Sequence, residues 1–144
     1  MRVFLILFLL LQSTGLQTLS AQGLTDPAAY SQIVAQKNPQ TKKKLALNFE
    51  KNFPKSKRLP DVYIELTRLF VGESDFTTAK QYAEKAVSTV QKMKTQPAPP
   101  ENTEATWHQW LNTVDASAKK NLDWANQMAA WQQEQLRSSL HGKR

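Results

Sequence analysis

The chain contains no cysteine. That excludes disulfides, thiol nucleophiles, iron–sulfur clusters, cysteine-based zinc sites and a lipid-acceptor thiol. Histidine is nearly absent. His108 and His141 stand far apart, so a histidine-rich metal site is not expected. Glycine is scarce too: Gly15, Gly23, Gly72 and Gly142 are too scattered to form a phosphate-cradling loop. No stretch alternates apolar and polar residues long enough to argue a strand. Paired carboxylates with converging geometry are also missing. Glu101/Glu104 and Asp115/Asp123 are separated, and His108 has only Glu104, four residues back, as a local partner. That spacing is an ordinary helix-stabilising pair. No catalytic, cofactor-binding or metal-ligating residue is expected, and the chain reads as a non-enzyme.

Long hydrophobic runs are represented once. Residues 3–11 (VFLILFLLL) are nine apolar positions behind Arg2, followed by Gln12, Ser13 and Thr14. A bilayer helix needs about 20 apolar residues, so this run is too short to span. A basic start, a short apolar core and small residues after it describe a secretory signal peptide over residues 1–21, with cleavage in the window 21–23. Loss of 21 residues leaves 123 of the 144 and lowers the formal charge from +7 to +6, because Arg2 leaves with them. The mature chain is expected outside the cytoplasm, secreted or periplasmic, without a transmembrane span. It would have to be stabilised there by packing alone.

The remainder has helical spacing. Asp26-Pro27 is a helix start, with Asp26 as its N-cap and Tyr30, Ile33 and Val34 on one face. Asn38-Pro39 starts a second helix with Leu45, Ala46, Phe49 and Phe53 inward, ending at Pro54. Residues 54–60 (PKSKRLP) form a connector. A third helix is predicted near Asp61, with a stripe of Val62, Tyr63, Leu66, Leu69 and Phe70 closed by Gly72. Ser74 or Asp75 caps a fourth, whose buried face is Phe76, Ala79, Ala83, Ala86 and Val90. After a proline-rich loop at 96–102, Asn102 or Thr103 caps a last segment. It is either one helix or two broken near 115–117, and keeps its spacing to about Leu136. The fold class is all-α: a helical domain over 24–136 of two antiparallel helix pairs capped by a long C-terminal helix, with a polar tail at 137–144.

Residues 60–91 resemble one tetratricopeptide repeat. Tyr63, Leu66, Thr67 and Phe70 stand in its first helix. The turn Glu73-Ser74-Asp75-Phe76 is similar to the family's turn, and Ala79, Ala83 and Ala86 follow in the second helix. Thr67 replaces a small residue, Ala83 a bulky aromatic, and Gln91 stands where proline ends the repeat. Residues 26–54 look like a weaker, shortened copy. The resemblance implies an α-solenoid fragment that binds a protein or peptide partner without catalysis. Its concave face would be built from the first helix of each pair. On that analogy Asp61, Ile64, Arg68 and Val71 lie off the main stripe and are candidate partner-binding residues.

Charge and tryptophan mark two further features. Residues 37–58 hold eight cations against Glu50 alone, so this segment carries +7, the value of the whole chain. Lys42, Lys43, Lys44, Lys51, Lys55, Lys57 and Arg58 are therefore the candidates for an alternative function, docking on an anionic envelope polymer or lipid. Nucleic-acid binding by stacking would need exposed aromatics among these charges. Phe49 and Phe53 fall on the core stripe, so specific nucleic-acid binding is not expected. All four tryptophans lie in the last segment. Trp107, Trp110 and Trp131 fall near the apolar face, whereas Trp124 is displaced and is the candidate exposed anchor.

Overall fold

The computed structural model describes residues 24–141. The leader assigned to residues 1–21, its cleavage window up to residue 23, and residues 142–144 lie outside that range. The described residues form five helices and no strand: α1 (Asp26–Ala35), α2 (Pro39–Asn52), α3 (Leu59–Gly72), α4 (Phe76–Lys94) and α5 (Glu104–His141).

Local chemistry sets most of the boundaries. Asn38 caps α2 by accepting from the Thr41 amide at 2.9 Å, with Pro39 opening the helix. Asp75 caps α4 by accepting from the Thr78 amide at 3.1 Å. Thr103 does the same for α5 through Thr106. Two starts differ from expectation. Asp26 is the first residue of α1 rather than its cap, which is Thr25. The third helix begins at Leu59 because Ser56 is buried in a tight turn. Its Oγ accepts from the Arg58 amide at 2.9 Å, and Leu59 and Pro60 are drawn into the core.

The helices run antiparallel in chain order. Phe49 meets Tyr30 of α1 edge-on, with ring centroids 6.4 Å apart. Phe70 of α3 stacks on Tyr82 of α4 at 5.5 Å, nearly parallel. Lys43 lies over the Phe70 ring, and Lys85 lies over Tyr82. This alternation of cation and ring joins α2, α3 and α4. The main core gathers Ile33, Phe49, Val62, Leu66 and Val90 with Trp107, Leu111 and Val114 of α5. Thr67, in the small-residue position, is fully buried and donates its hydroxyl to the Tyr63 carbonyl at 2.8 Å.

A second cluster is built from alanines. Ala79 and Ala83 of α4 meet Ala125 of α5, flanked by Phe70, Val71 and Leu122. Small side chains on both partners allow the two helices to approach closely here. α5 is one unbroken helix of 38 residues, about 57 Å long. It runs antiparallel to α4. Lys94 near the end of α4 meets Asp115, and Ala79 near its start meets Ala125. α4 begins at Phe76, so beyond about residue 131 α5 extends past the helix it packs against. It continues as a helix to His141, past Leu136 and into the segment read as a polar tail. Trp131, placed near the apolar face by its spacing, is 56% exposed, and Leu140 is 73% exposed. Val34, expected inward, is also exposed, because no described helix lies on the outer side of α1.

Candidate functional site

The residues proposed for a concave partner face divide sharply. Ile64 is only 4% exposed and belongs to the core. Val71 is half-buried against the alanine cluster. Both are covered because α5 packs on α3 as well as on α4. Ile64 has no surface to offer a partner, and Val71 only part of its side chain. Asp61 is half-buried, 3.9 Å from Arg58. Burial raises its carboxyl above the ordinary value, an effect the Arg58 charge opposes. Arg68 alone stands clear, in loose contact with Glu65 at 3.2 Å.

Arg68 and Trp124 come together. Both line a cleft of about 620 Å³ between α3 and α5, walled by Ala116, Ser117, Lys120 and Asn121. Trp124 is 37% exposed there. Its place off the stripe, legible in the helical wheel, puts its ring at the cleft instead of in the core. Trp107, by contrast, is buried and stacks on Trp110 at 4.9 Å.

The basic segment also splits in two. Four cations are matched by carboxylates, three of them across elements and Arg58 within the start of α3. Lys42 reaches Glu65 at 4.0 Å, Lys43 holds Glu73 at 2.5 Å, Arg58 faces Asp61, and Lys57 bonds Glu101 across to the α4–α5 loop. The Lys43 bond, aided by Gln40, holds the Glu73 carboxyl below its usual range. Lys57 does the same to Glu101. Lys44, Lys51 and Lys55 are exposed, and among the described residues none has a carboxylate within 4 Å. Lys37 is in the same position.

One surface went unread in the sequence. A groove of about 610 Å³ runs between α1 and α2 on the side away from α3, with Ala29, Ala35, Leu45, Phe49 and Phe53 among its lining. The apolar spacing marked Leu45, Phe49 and Phe53 as inward. It carried no information on whether a further helix covers them.

The described residues contain no cluster of three His, Cys, Asp or Glu side chains able to hold a metal ion. None of their helices is long and apolar enough to cross a membrane. Glu104 and His108 form an exposed pair at 3.4 Å on the first turns of α5. In comparison with known proteins, the chain matches no family model, no curated protein and no solved structure.

Proposed function

We propose that this chain is a non-catalytic protein-interaction module, tetratricopeptide-like in its helix pairs, that is exported through its N-terminal leader and acts outside the cytoplasm. The observation that carries the reading is the cleft shared by Arg68 and Trp124. Tryptophan and arginine are the residue types that most often anchor protein interfaces, and a recessed site between rigid helices holds them in place without an ordering cost. The alternation of hairpins, with α5 packed on both helices of the preceding pair, agrees with a short repeat stack. A partner segment would lie along α3 and α5, its apolar side on Trp124 and a carboxylate or carbonyl on Arg68.

The alternative, docking on an anionic envelope polymer or lipid, draws support from the exposed and unmatched Lys44, Lys51 and Lys55. The two readings respond differently to mutation. Trp124→Ala with Arg68→Glu is expected to weaken partner capture by crosslinking in the native compartment at least 30-fold, about 2 kcal/mol. Lys44, Lys51 and Lys55→Glu should leave that capture nearly unchanged. The reverse pattern, with capture lost at moderate salt in the lysine variant alone, overturns the cleft reading. N-terminal sequencing of the exported chain tests the leader: a start at residues 22–24 is expected.

A further inference from the structure

The groove between α1 and α2 is a second apolar opening, about equal in volume to the cleft at Trp124. We infer that it is a second docking surface, for an amphipathic helix of a partner protein whose apolar face is flanked by acidic residues. The inference rests on the reading of the chain as an interaction module, and it names a separate surface and the chemistry of what fills it.

Three observations lead there. First, the floor is aromatic and aliphatic. Phe49 and Phe53 pack against each other at 4.9 Å, and Leu45, Ala29 and Ala35 continue the surface toward α1. A terminal unit of a helical stack needs a polar outer face to stay soluble, and here polar side chains such as Gln32, Asn48 and Asn52 border an open apolar floor. Second, the groove lies between two helices and is open along them. That geometry receives apolar side chains at i, i+3, i+4 and i+7 of a third helix.

Third, the charge at its edge is one-sided. Lys37 lines the groove. Lys44 and Lys51 stand four before and three after Asn48, itself a lining residue, so both flank the same edge of α2. All three are exposed, and no described carboxylate lies within 4 Å of any of them. Their neighbours Lys42, Lys43, Lys57 and Arg58 are each matched by a carboxylate of this chain. No carboxylate lines the groove. Three of the unmatched cations therefore stand beside the apolar floor, and an acid-flanked helix satisfies both at once. A lipid surface fits less well, because the apolar atoms line a recess and do not project.

The test uses the purified full chain and synthetic helical peptides of about five turns, labelled for fluorescence anisotropy. All share one leucine face. One set has glutamate flanks and the other lysine flanks. The glutamate peptide should bind at least tenfold tighter at low ionic strength, and the difference should shrink with salt. The Lys37, Lys44 and Lys51→Glu variant should reverse the preference. Ala35→Arg, at an exposed lining position, should abolish binding of both peptides with unchanged circular dichroism. A photocrosslinker at position 32, on the groove wall, should attach to the glutamate peptide.

Equal binding of the two peptides overturns the inference. So does binding that survives Ala35→Arg, or stronger attachment to phosphatidylglycerol vesicles than to the peptide. Crosslinks from position 32 to a second copy, or to residues 1–23 of the same chain, would assign the groove to those occupants instead. The same crosslinker at position 124 separates the two proposals. A partner caught at 124, with no peptide binding at the groove, overturns only the groove. Failure at both positions overturns both.

Discussion

Ser74 carries a φ of 61°, the one positive value among the described non-glycine residues. It sits in the three-residue turn between α3 and α4, where its amide donates to Val71 and the next amide to Phe70. A side chain in this left-handed region costs about 1 kcal/mol, and glycine removes that cost. Ser74→Gly is therefore expected to raise the melting temperature by about 4 °C in a thermal scan. Gly72, which the sequence marks as the end of α3, is its last helical residue. A methyl group there would meet nothing within 4 Å. Gly72→Ala should stabilise by about 0.5–1 kcal/mol, measured by urea unfolding. Two residues apart, the glycine and the left-handed turn have exchanged the places that composition suggests.

Asp115 has the opposite character. It is 7% exposed, and it accepts from Lys94 at 2.6 Å, Gln91 at 2.9 Å and Lys119 at 3.0 Å. The Lys94 bond chiefly holds its carboxyl below the ordinary range. A carboxyl depressed in the folded chain contributes stability above its unfolded value, near 3.9. That contribution is lost as pH falls through the folded value. Asp115→Asn should cost about 1–2 kcal/mol at neutral pH and flatten the acid limb of a stability profile below about pH 4.

At the scale of elements, α4 and α5 illustrate how small residues decide a contact. Ala83 and Ala125 are fully buried against each other's helices. Ala83→Leu has no cavity to fill and should destabilise by about 1–3 kcal/mol in urea unfolding. The far end of α5 is the converse. Leu136 and Leu140 are exposed, so changing both to Gln should leave the unfolding midpoint within experimental error in a thermal scan. The apolar spacing at Leu136 and Leu140 continues the stripe of Leu111, Ala118 and Ala125. Spacing alone therefore could not distinguish a covered position from an uncovered one.

For the whole molecule, Tyr63 of α3 and Tyr82 of α4, 6.0 Å apart beside Glu50 of α2, link stability to alkaline pH. Burial pushes Tyr63 and Tyr82 up to about 12, and the Glu50 carboxylate beside them adds to the effect. Glu50 in turn accepts from Tyr82 and Lys85. A phenol raised in the folded state gives stability that is complete below about pH 10 and lost as pH rises toward 12. Unfolding of the intact chain should therefore set in over that interval, together with the rise in tyrosinate absorbance. Glu50→Gln should move the absorbance midpoint of both rings downward without restoring the ordinary value, because burial is the larger cause.

Composition and periodicity were enough for an all-helical chain, for the start at Asn38, for caps narrowed to Ser74 or Asp75 and to Asn102 or Thr103, and for the displacement of Trp124 from the core stripe. Those features depend on contacts within four residues, and one helical turn contains all the information they need. The fate of Ile64, Val71 and Trp131 was decided elsewhere. α5 lies over the first two and outruns the third, and a neighbour's length and position do not appear in a residue's own spacing. The division of the cations has the same origin. Lys43 and Lys44 are adjacent in the chain, yet only folding brings Glu73 to one and leaves the other open to water.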